Sequence, residues 1–550
     1  MKELSLETQK LIQRYQSWYA QLQPQEGIPK IHVDEVASVV AAFYEKIREV
    51  VDWREEHLMR RAAIERTLKR RLLLAKNGKT IAEPLVLELI RGGHFPNDRI
   101  PESKIEEIQK IIDKYIFILE NAPKPPKDSN PPTTLPAKGG APKIKIQLYD
   151  WLLSITACEV EEMLSSSQKE RALIEYMTDS MMEKIKIKEG ILVIGGLNKE
   201  EKNTQIYIAT QRALFKLDSP IITYNLLKKR YPEWKDFEKA DQRLGEITQN
   251  IYSIWNGAEK DLKYPLSEKF YKVCERYDTP YLILGDIISE DPMGIEEKIK
   301  DPQELENRIN NSYQKRLRAL RTRIKRAAVY ATLSIFITKM LLAFAAEVPF
   351  DKYITGQFSY LALGLNILIP PLLMFFLVLT IRPPKKENLQ QVIMEVMKIA
   401  YLTERKEIYT IEIPKKRGWL TNALITIFYL LTFLISFGLI IWGLDELNFG
   451  ILSIIIFLIF ISLISFAGVK LKERSRELEV IQKKESILMA FIDFFSLPVI
   501  RVGKWLSSQW ARYNVIIIAI NFLIDMPFQS FVEFLEQWRA FLKEKKEEIH

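Results

Sequence analysis

The 550-residue chain carries 79 Lys and Arg against 70 Asp and Glu, with two Cys and four His. Residues 315–550 hold 31 of the basic and 20 of the acidic side chains, so the positive excess belongs to the apolar half and points to anionic lipid rather than nucleic acid. Cys158 and Cys274, far apart and without CxxC or Cys/His spacing, argue against a disulfide framework and a zinc site.

The opening MKELSLETQK has no apolar core, so a cleavable signal peptide is not expected and the first span should act as the insertion signal. Residues 1–121 read as helices. A long one is expected over about 33–76 with Asp34 as N-cap, and a shorter one over 82–91 ending at Gly92-Gly93. Another begins near Pro101 and places Ile105, Ile108, Ile111, Ile112 and Tyr115 on one face. Residues 122–145 form a Pro/Gly/Lys linker that cannot pack a core.

A second helical region follows over 146–314. Ser219-Pro220, Asp278-Thr279-Pro280 and Pro302 read as helix starts, and GILVIGG at 190–196 fits either a buried strand or a helix end. Residues 315–326 are a polybasic segment with seven Lys and Arg and no acid: Lys315, Arg316, Arg318, Arg321, Arg323, Lys325 and Arg326. These seven are expected to contact lipid head groups.

Four apolar runs occupy 327–469, at about 327–346, 358–381, 419–442 and 449–469. Each is long enough for a hydrocarbon core of about 30 Å at ~1.5 Å per residue. Basic residues crowd 315–326, the loop 382–418 and the segment after 469, whereas the expected first outer loop, EVPFDKYITGQ at 347–357, holds two acids and one Lys, and 443–448 holds Asp445 and Glu446 and no base. That asymmetry predicts cytoplasmic N- and C-termini in a plasma membrane protein. Trp419 and Trp442 bracket the third run as an aromatic belt would. Within 382–418, Leu389, Val392, Ile393, Val396 and Tyr401 suit an amphipathic helix lying on the membrane or on the soluble part, and EIYTIEI at 407–413 is strand-like without an evident partner.

In the C-terminal region 470–550, ILMAFIDFFSLPVIRVGKWL and YNVIIIAINFLIDMPF have short apolar cores interrupted by charge and proline, so interfacial or re-entrant segments are expected. The tail then forms an amphipathic helix with Phe528, Phe531, Leu535 and Trp538 as interfacial anchors.

Few chemical sites stand out. Lys339 is a charge inside the first run, and antiparallel packing puts Asn366 of the second at the same depth. Pro370-Pro371 removes backbone hydrogen bonds in mid-span and fits either a plain kink, the commoner case, or the discontinuous helix of a transporter. Arg60, Arg61, Arg66, Lys69, Arg70 and Arg71 are diluted by Glu55, Glu56 and Glu65 and read as a solvated helix face. Ser166 and Lys169 match SxxK, but the companion motifs of that chemistry are missing. No Gly-rich phosphate loop, metal spacing or catalytic constellation appears, so no catalytic residue, cofactor or metal is assigned.

The reading is an all-α membrane protein with a large cytoplasmic helical N-terminal region, a four-helix transmembrane bundle and C-terminal amphipathic, interfacial helices. A non-enzymatic role in binding a protein partner or organising the membrane surface leads. The alternative is a small transporter or channel component built on Lys339, Asn366, Pro370 and Pro371. The anionic bilayer is the expected partner, with no nucleic acid, and a homo-oligomer is left open.

Overall fold

The computed structural model describes residues 2–22, 27–33, 39, 56–74, 80–125, 141–188, 198–238, 241–355, 360–381, 384, 386–401, 408–412, 418–480 and 487–512, and nine positions between 531 and 545. Among the described residues the chain is helical apart from one pair of short strands. In order, the first helices are α1 (Leu6–Gln21), α2 (Glu56–Leu74), α3 (Ala82–Arg91), α4 (Ser103–Asn121), α5 (Ala141–Leu164) and α6 (Gln168–Lys184). Strand β1 (Ile185–Lys188) follows, then α7 (Lys199–Phe215), α8 (Ser219–Arg230), α9 (Gln242–Gln249), α10 (Ile251–Leu262), α11 (Ser267–Arg276), α12 (Asp278–Glu290) and α13 (Ile295–Lys298). The remaining elements are α14 (Pro302–Leu342), α15 (Tyr360–Thr380), α16 (Lys386–Ala400), β2 (Tyr409–Glu412), α17 (Trp419–Glu446), α18 (Ile451–Ser475) and α19 (Ile487–Arg512).

Local chemistry sets several boundaries. Asp218 caps α8 by accepting from the Ile221 amide, and Asp301 caps α14 by accepting from Gln303, with proline in the first turn of each. α3 stops at Gly92, and Gly93 adopts a positive φ of 75° that a side chain would resist. Of the helix expected over 33–76, α2 is the described part. GILVIGG at 190–196 lies outside the described residues.

Two apolar cores interleave along the chain. One gathers α2–α5 with Tyr224, Trp234, Ile251 and Trp255, so the helix after the Pro/Gly/Lys linker packs on helices that precede it. The other gathers α1, α6, α7, α11 and α12 with Leu305, Ile309, Tyr313, Leu317 and Leu320 of α14. Val392, Val396 and Ala400 of α16 are fully buried in this second core, joined by Ile411, Leu478 and Val480. The amphipathic segment after the second apolar helix therefore lies on the soluble part. Strand β2 pairs in parallel with β1, Ile185 opposite Tyr409, which supplies the partner that EIYTIEI lacked in the sequence.

Polar contacts lock the same junction. Asn388 donates to the Leu478 carbonyl (2.6 Å) and the Tyr313 hydroxyl (3.0 Å), and accepts from the Val480 amide (2.8 Å). Tyr401 donates to the Ile299 carbonyl at 2.6 Å, and Thr279 to that of Glu477 at 3.0 Å. One buried amide thus ties α16, α14 and the stretch after α18 together. Asn388→Leu should cost about 1–3 kcal/mol, since it leaves the Leu478 carbonyl and Val480 amide buried without partners. Thermal unfolding of the purified chain measures this.

Four helical stretches are long and apolar enough to cross a membrane: Pro302–Ile354, Tyr360–Thr380, Trp419–Glu446 and Ile451–Ser475. They show large apolar side chains outward, including Leu424, Phe428, Leu431, Leu434 and Leu439 of α17. Apolar exposure on that scale needs a non-aqueous neighbour.

Three expectations are corrected here. Residues 347–355 are not a loop: the first span continues as a π-helical turn at Ala343–Glu347, a short α turn at Val348–Phe350 and a second π turn at Asp351–Thr355. Second, α15 runs unbroken through Pro370 and Pro371, both buried against neighbouring helices. The two missing amide donors do not interrupt it, because packing on both sides holds its φ/ψ.

Third, α19 is one 26-residue helix through Pro498, packed on α17 and α18 rather than a short surface piece. Ser436, well inside α17, donates to the Phe495 carbonyl at 2.7 Å, and Arg501 sits 5.0 Å from the Tyr429 ring centre. A guanidinium over an aromatic face keeps a favourable partner away from water. Gly503 lies against the Ser462 carbonyl, where a Cβ has no room. Residues 513–528, Phe528 among them, lie outside the described residues.

Candidate functional site

The apolar helices enclose one polar cluster. Lys339 on α14 is fully buried, and its ammonium donates to Glu347 Oε1 at 2.5 Å while lying 5.4 Å from the centre of the Phe460 ring. Glu347 ends the first π turn and is 1% exposed. Its Oε2 accepts from the Asn366 side-chain amide on α15 and from the Ser453 hydroxyl on α18 at 3.0 Å. Ser453 also lies 3.3 Å from Asp351 Oδ2, in the second π turn. Three helices thus converge on one carboxylate.

The wide π turns make this geometry. They carry Glu347 and Asp351, one turn apart, toward the same Ser453 at the start of α18. π-helical turns of this kind concentrate at functional positions in helices.

Lys339 and Asn366 are brought together as their depth suggested, but through Glu347 rather than directly. Sequence reasoning missed Glu347, Asp351 and Ser453 because the first two were assigned to an outer loop. A glutamate eight residues beyond an intramembrane lysine was the available signal. Pro370 and Pro371 contribute packing alone and touch none of these polar groups in the hydrogen bonds described.

The polybasic segment divides in two. Arg316 is a bidentate donor to Asp286, Lys315 lies 3.5 Å from Glu290, and Arg323 3.7 Å from Glu477. These three lean on the soluble core. Arg318, Arg321, Lys325 and Arg326 are exposed, with no acidic partner among the described residues. Of the tail anchors, Phe531 and Trp538 are about half exposed, and Trp538 stacks on Phe534 with ring centres 6.3 Å apart.

In the soluble part the arginine-rich helix is not a solvated face. Arg61 is buried and pairs with Asp218 at 2.6 Å and with Glu65, while Arg70 and Arg71 converge on Glu88. Apart from Glu65 on the same helix, the acids that answer these arginines, Asp218 and Glu88, lie beyond it, out of reach of a local reading.

A cavity of about 170 Å³ at the α5–α6 junction is lined by Arg60, Glu161, Glu162, Ser166, Arg171 and Lys228. Glu162 faces Lys228 at 2.7 Å and Arg171 and Lys235 at 2.8 Å. It is held down to about 2: burial opposes ionisation, but the three cations outweigh it. Burial pushes neighbouring Glu161 up to about 7, opposed only by Arg60 and more distantly by Arg61. Ser166 lines this cavity while Lys169 points to the Trp18 ring at 5.1 Å, so the SxxK pair is not assembled.

The Glu161 environment gives a pH prediction. Between about 4.5 and 7 the folded state keeps a proton that the unfolded chain releases, so stability falls as pH rises through that window. Glu161→Gln should flatten this slope in thermal unfolding and leave stability near pH 4 unchanged.

No family model matches the chain, and no curated protein or solved structure is detectably similar to it.

Proposed function

We propose that this chain is a non-enzymatic membrane protein, a cytoplasmic helical platform fastened to a four-span bundle in the plasma membrane. The observation that carries this reading is the junction. α14 runs from the soluble core into the first apolar span without interruption, and α16, β2 and residues 478–480 return from the bundle to bury in that same core. A soluble region fastened at three places keeps a fixed orientation, which suits presenting a surface to a protein partner. The charge asymmetry puts this region and both termini on the cytoplasmic side. Arg318, Arg321, Lys325 and Arg326 then lie at the anionic head groups.

Affinity purification of the full chain in mild detergent tests the reading. The expected result is a stoichiometric protein partner that is also recovered with Lys339→Met. A monodisperse chain that retains no other protein contradicts it.

A second reading, a component of a transporter or channel, is favoured by the enclosed Lys339–Glu347–Asn366–Ser453 cluster, because ionisable groups inside spans are costly and mark ion or proton pathways. Four spans with one such cluster rank it below the first.

The aromatic tail adds an inner-leaflet contact. A peptide of residues 527–550 should associate with lipid vesicles in a salt-resistant way, and Phe531→Asp with Trp538→Asp should abolish this, as a face bound by apolar contact requires. Co-sedimentation at high salt measures it.

A further inference from the structure

The cavity of about 170 Å³ at the α5–α6 junction belongs to the soluble part and has three chemically different walls. On the first, Arg171 and Lys228 converge on Glu162 at 2.8 and 2.7 Å, and Lys235 reaches the same carboxylate at 2.8 Å. Three cations share one acid, so this wall has capacity for a second carboxylate. On the second stand Glu161, which accepts from Arg60 at 3.3 Å, and Glu170. Glu170 Oε2 is buried and makes no hydrogen bond among the described residues, while Lys169 lies 3.9 Å from its Oε1. Buried acceptors are rarely left so, and this one calls for a donor. Burial pushes both carboxyls up, Glu161 to about 7, and an arriving positive charge opposes that effect.

The third wall is apolar: Ile174 of α6, Phe215 at the end of α7, and Leu217 and Ile221 around the start of α8. A cavity of about 150 Å³ is already enough for a benzene-sized group. Glu162, Ser166, Arg171 and Tyr224 also line a wider neighbouring cleft of about 500 Å³, which gives a ligand its way in. An anion alone leaves Glu170 unanswered, and a cation alone leaves three cations on one acid. A small zwitterion with an apolar side chain answers all three walls.

We propose that this cavity binds a free α-amino acid with an apolar side chain. Its carboxylate joins Glu162 between Arg171 and Lys228, and its ammonium donates to Glu170 Oε2 with Glu161 beside it. Its side chain lies on Phe215, Leu217 and Ile221. The site does not depend on the partner-binding reading, so either can fail while the other stands.

Calorimetric titration of the full chain in detergent with L-alanine, L-valine, L-leucine, L-isoleucine and L-methionine, one at a time, reads the site directly. At least one of these should bind saturably, at one site per chain. The N-acetyl and amide derivatives of that amino acid, which lack the ammonium and the carboxylate, should bind at least about tenfold more weakly, as loss of a charge-assisted contact requires. Glu170→Gln should lose a similar factor in affinity and unfold at nearly the same temperature as the unsubstituted chain when no amino acid is present. No saturable binding by any of the amino acids overturns the proposal. Equal affinity for the N-acetyl derivative, or unchanged affinity in Glu170→Gln, does so too. If Glu170→Gln does not fold, the derivatives titrated into the unsubstituted chain decide: weaker binding of both supports the site, and equal binding of either overturns it.

Discussion

Glu347→Ala should cost the bundle about 3–5 kcal/mol, because it removes the counter-ion that a fully buried ammonium has among the described residues. The Asn366 amide loses its acceptor in the same step, so two buried donors from two helices are stranded, while the Ser453 hydroxyl keeps Asp351. The double variant Lys339→Met, Glu347→Leu should recover most of the loss. An apolar pair of similar volume needs no desolvation of charge, and replacing a buried ion pair in this way is commonly neutral or stabilising. Unfolding temperature and the monodisperse fraction in detergent, compared across the single and double variants, measure the coupling. A double variant no better than Glu347→Ala would mean that the ion pair does not hold these helices.

The second large effect is in the soluble part. Glu159 is 3% exposed and accepts from the Lys114 ammonium and from the Tyr115 hydroxyl, both at 2.6 Å. Lys114 also donates to the Trp234 carbonyl at 2.9 Å, and the Trp234 indole to Tyr115 at 2.9 Å. The network closes on itself across α4, α5 and the short turn that carries Trp234. Burial lowers the Lys114 ammonium's affinity for its proton, and Glu159 is what opposes that. Glu159→Ala should therefore cost about 3–5 kcal/mol by leaving a buried lysine unpaired. Tyr115→Phe, which removes one hydroxyl, should cost about 1–2 kcal/mol. Thermal unfolding of the full chain, with protease resistance of the soluble part as a second readout, separates the two. Equal losses would mean that the ion pair carries none of the stability.

Much of the architecture was legible because period and punctuation agree. The apolar runs at 358–381 and 419–442 needed no packing information, and Ser219-Pro220 and Pro302 marked helix starts by proline placement, while the Asp218 and Asp301 caps went unread. Lys339 stood out because a charge within an apolar run is costly, although a lysine snorkelling outward or an isolated packing contact is the commoner explanation for one. What escaped depends on contacts distant in sequence. Strand β2 finds β1 more than two hundred residues upstream, and no local pattern names that partner.

Glu347 and Asp351 looked like outer-loop acids because EVPFDKYITGQ separates two apolar runs, whereas the helix continues by widening into π turns. α19 was misjudged for a related reason. Pro498 and Arg501 look disruptive in isolation, and the stacked Tyr429 ring that accommodates the guanidinium lies on another helix.

In the proposed topology the helical platform lies on one side of a four-span bundle and the α17–α18 turn on the other. Met293 is 64% exposed on the soluble part and Asn448 is exposed in the turn, while the native Cys158 and Cys274 are buried and give a low background. In intact cells, Asn448→Cys should react with a membrane-impermeant maleimide, and Met293→Cys should react only after permeabilisation. Labelling of Met293→Cys from outside, or protection of Asn448→Cys until the membrane is opened, would contradict it.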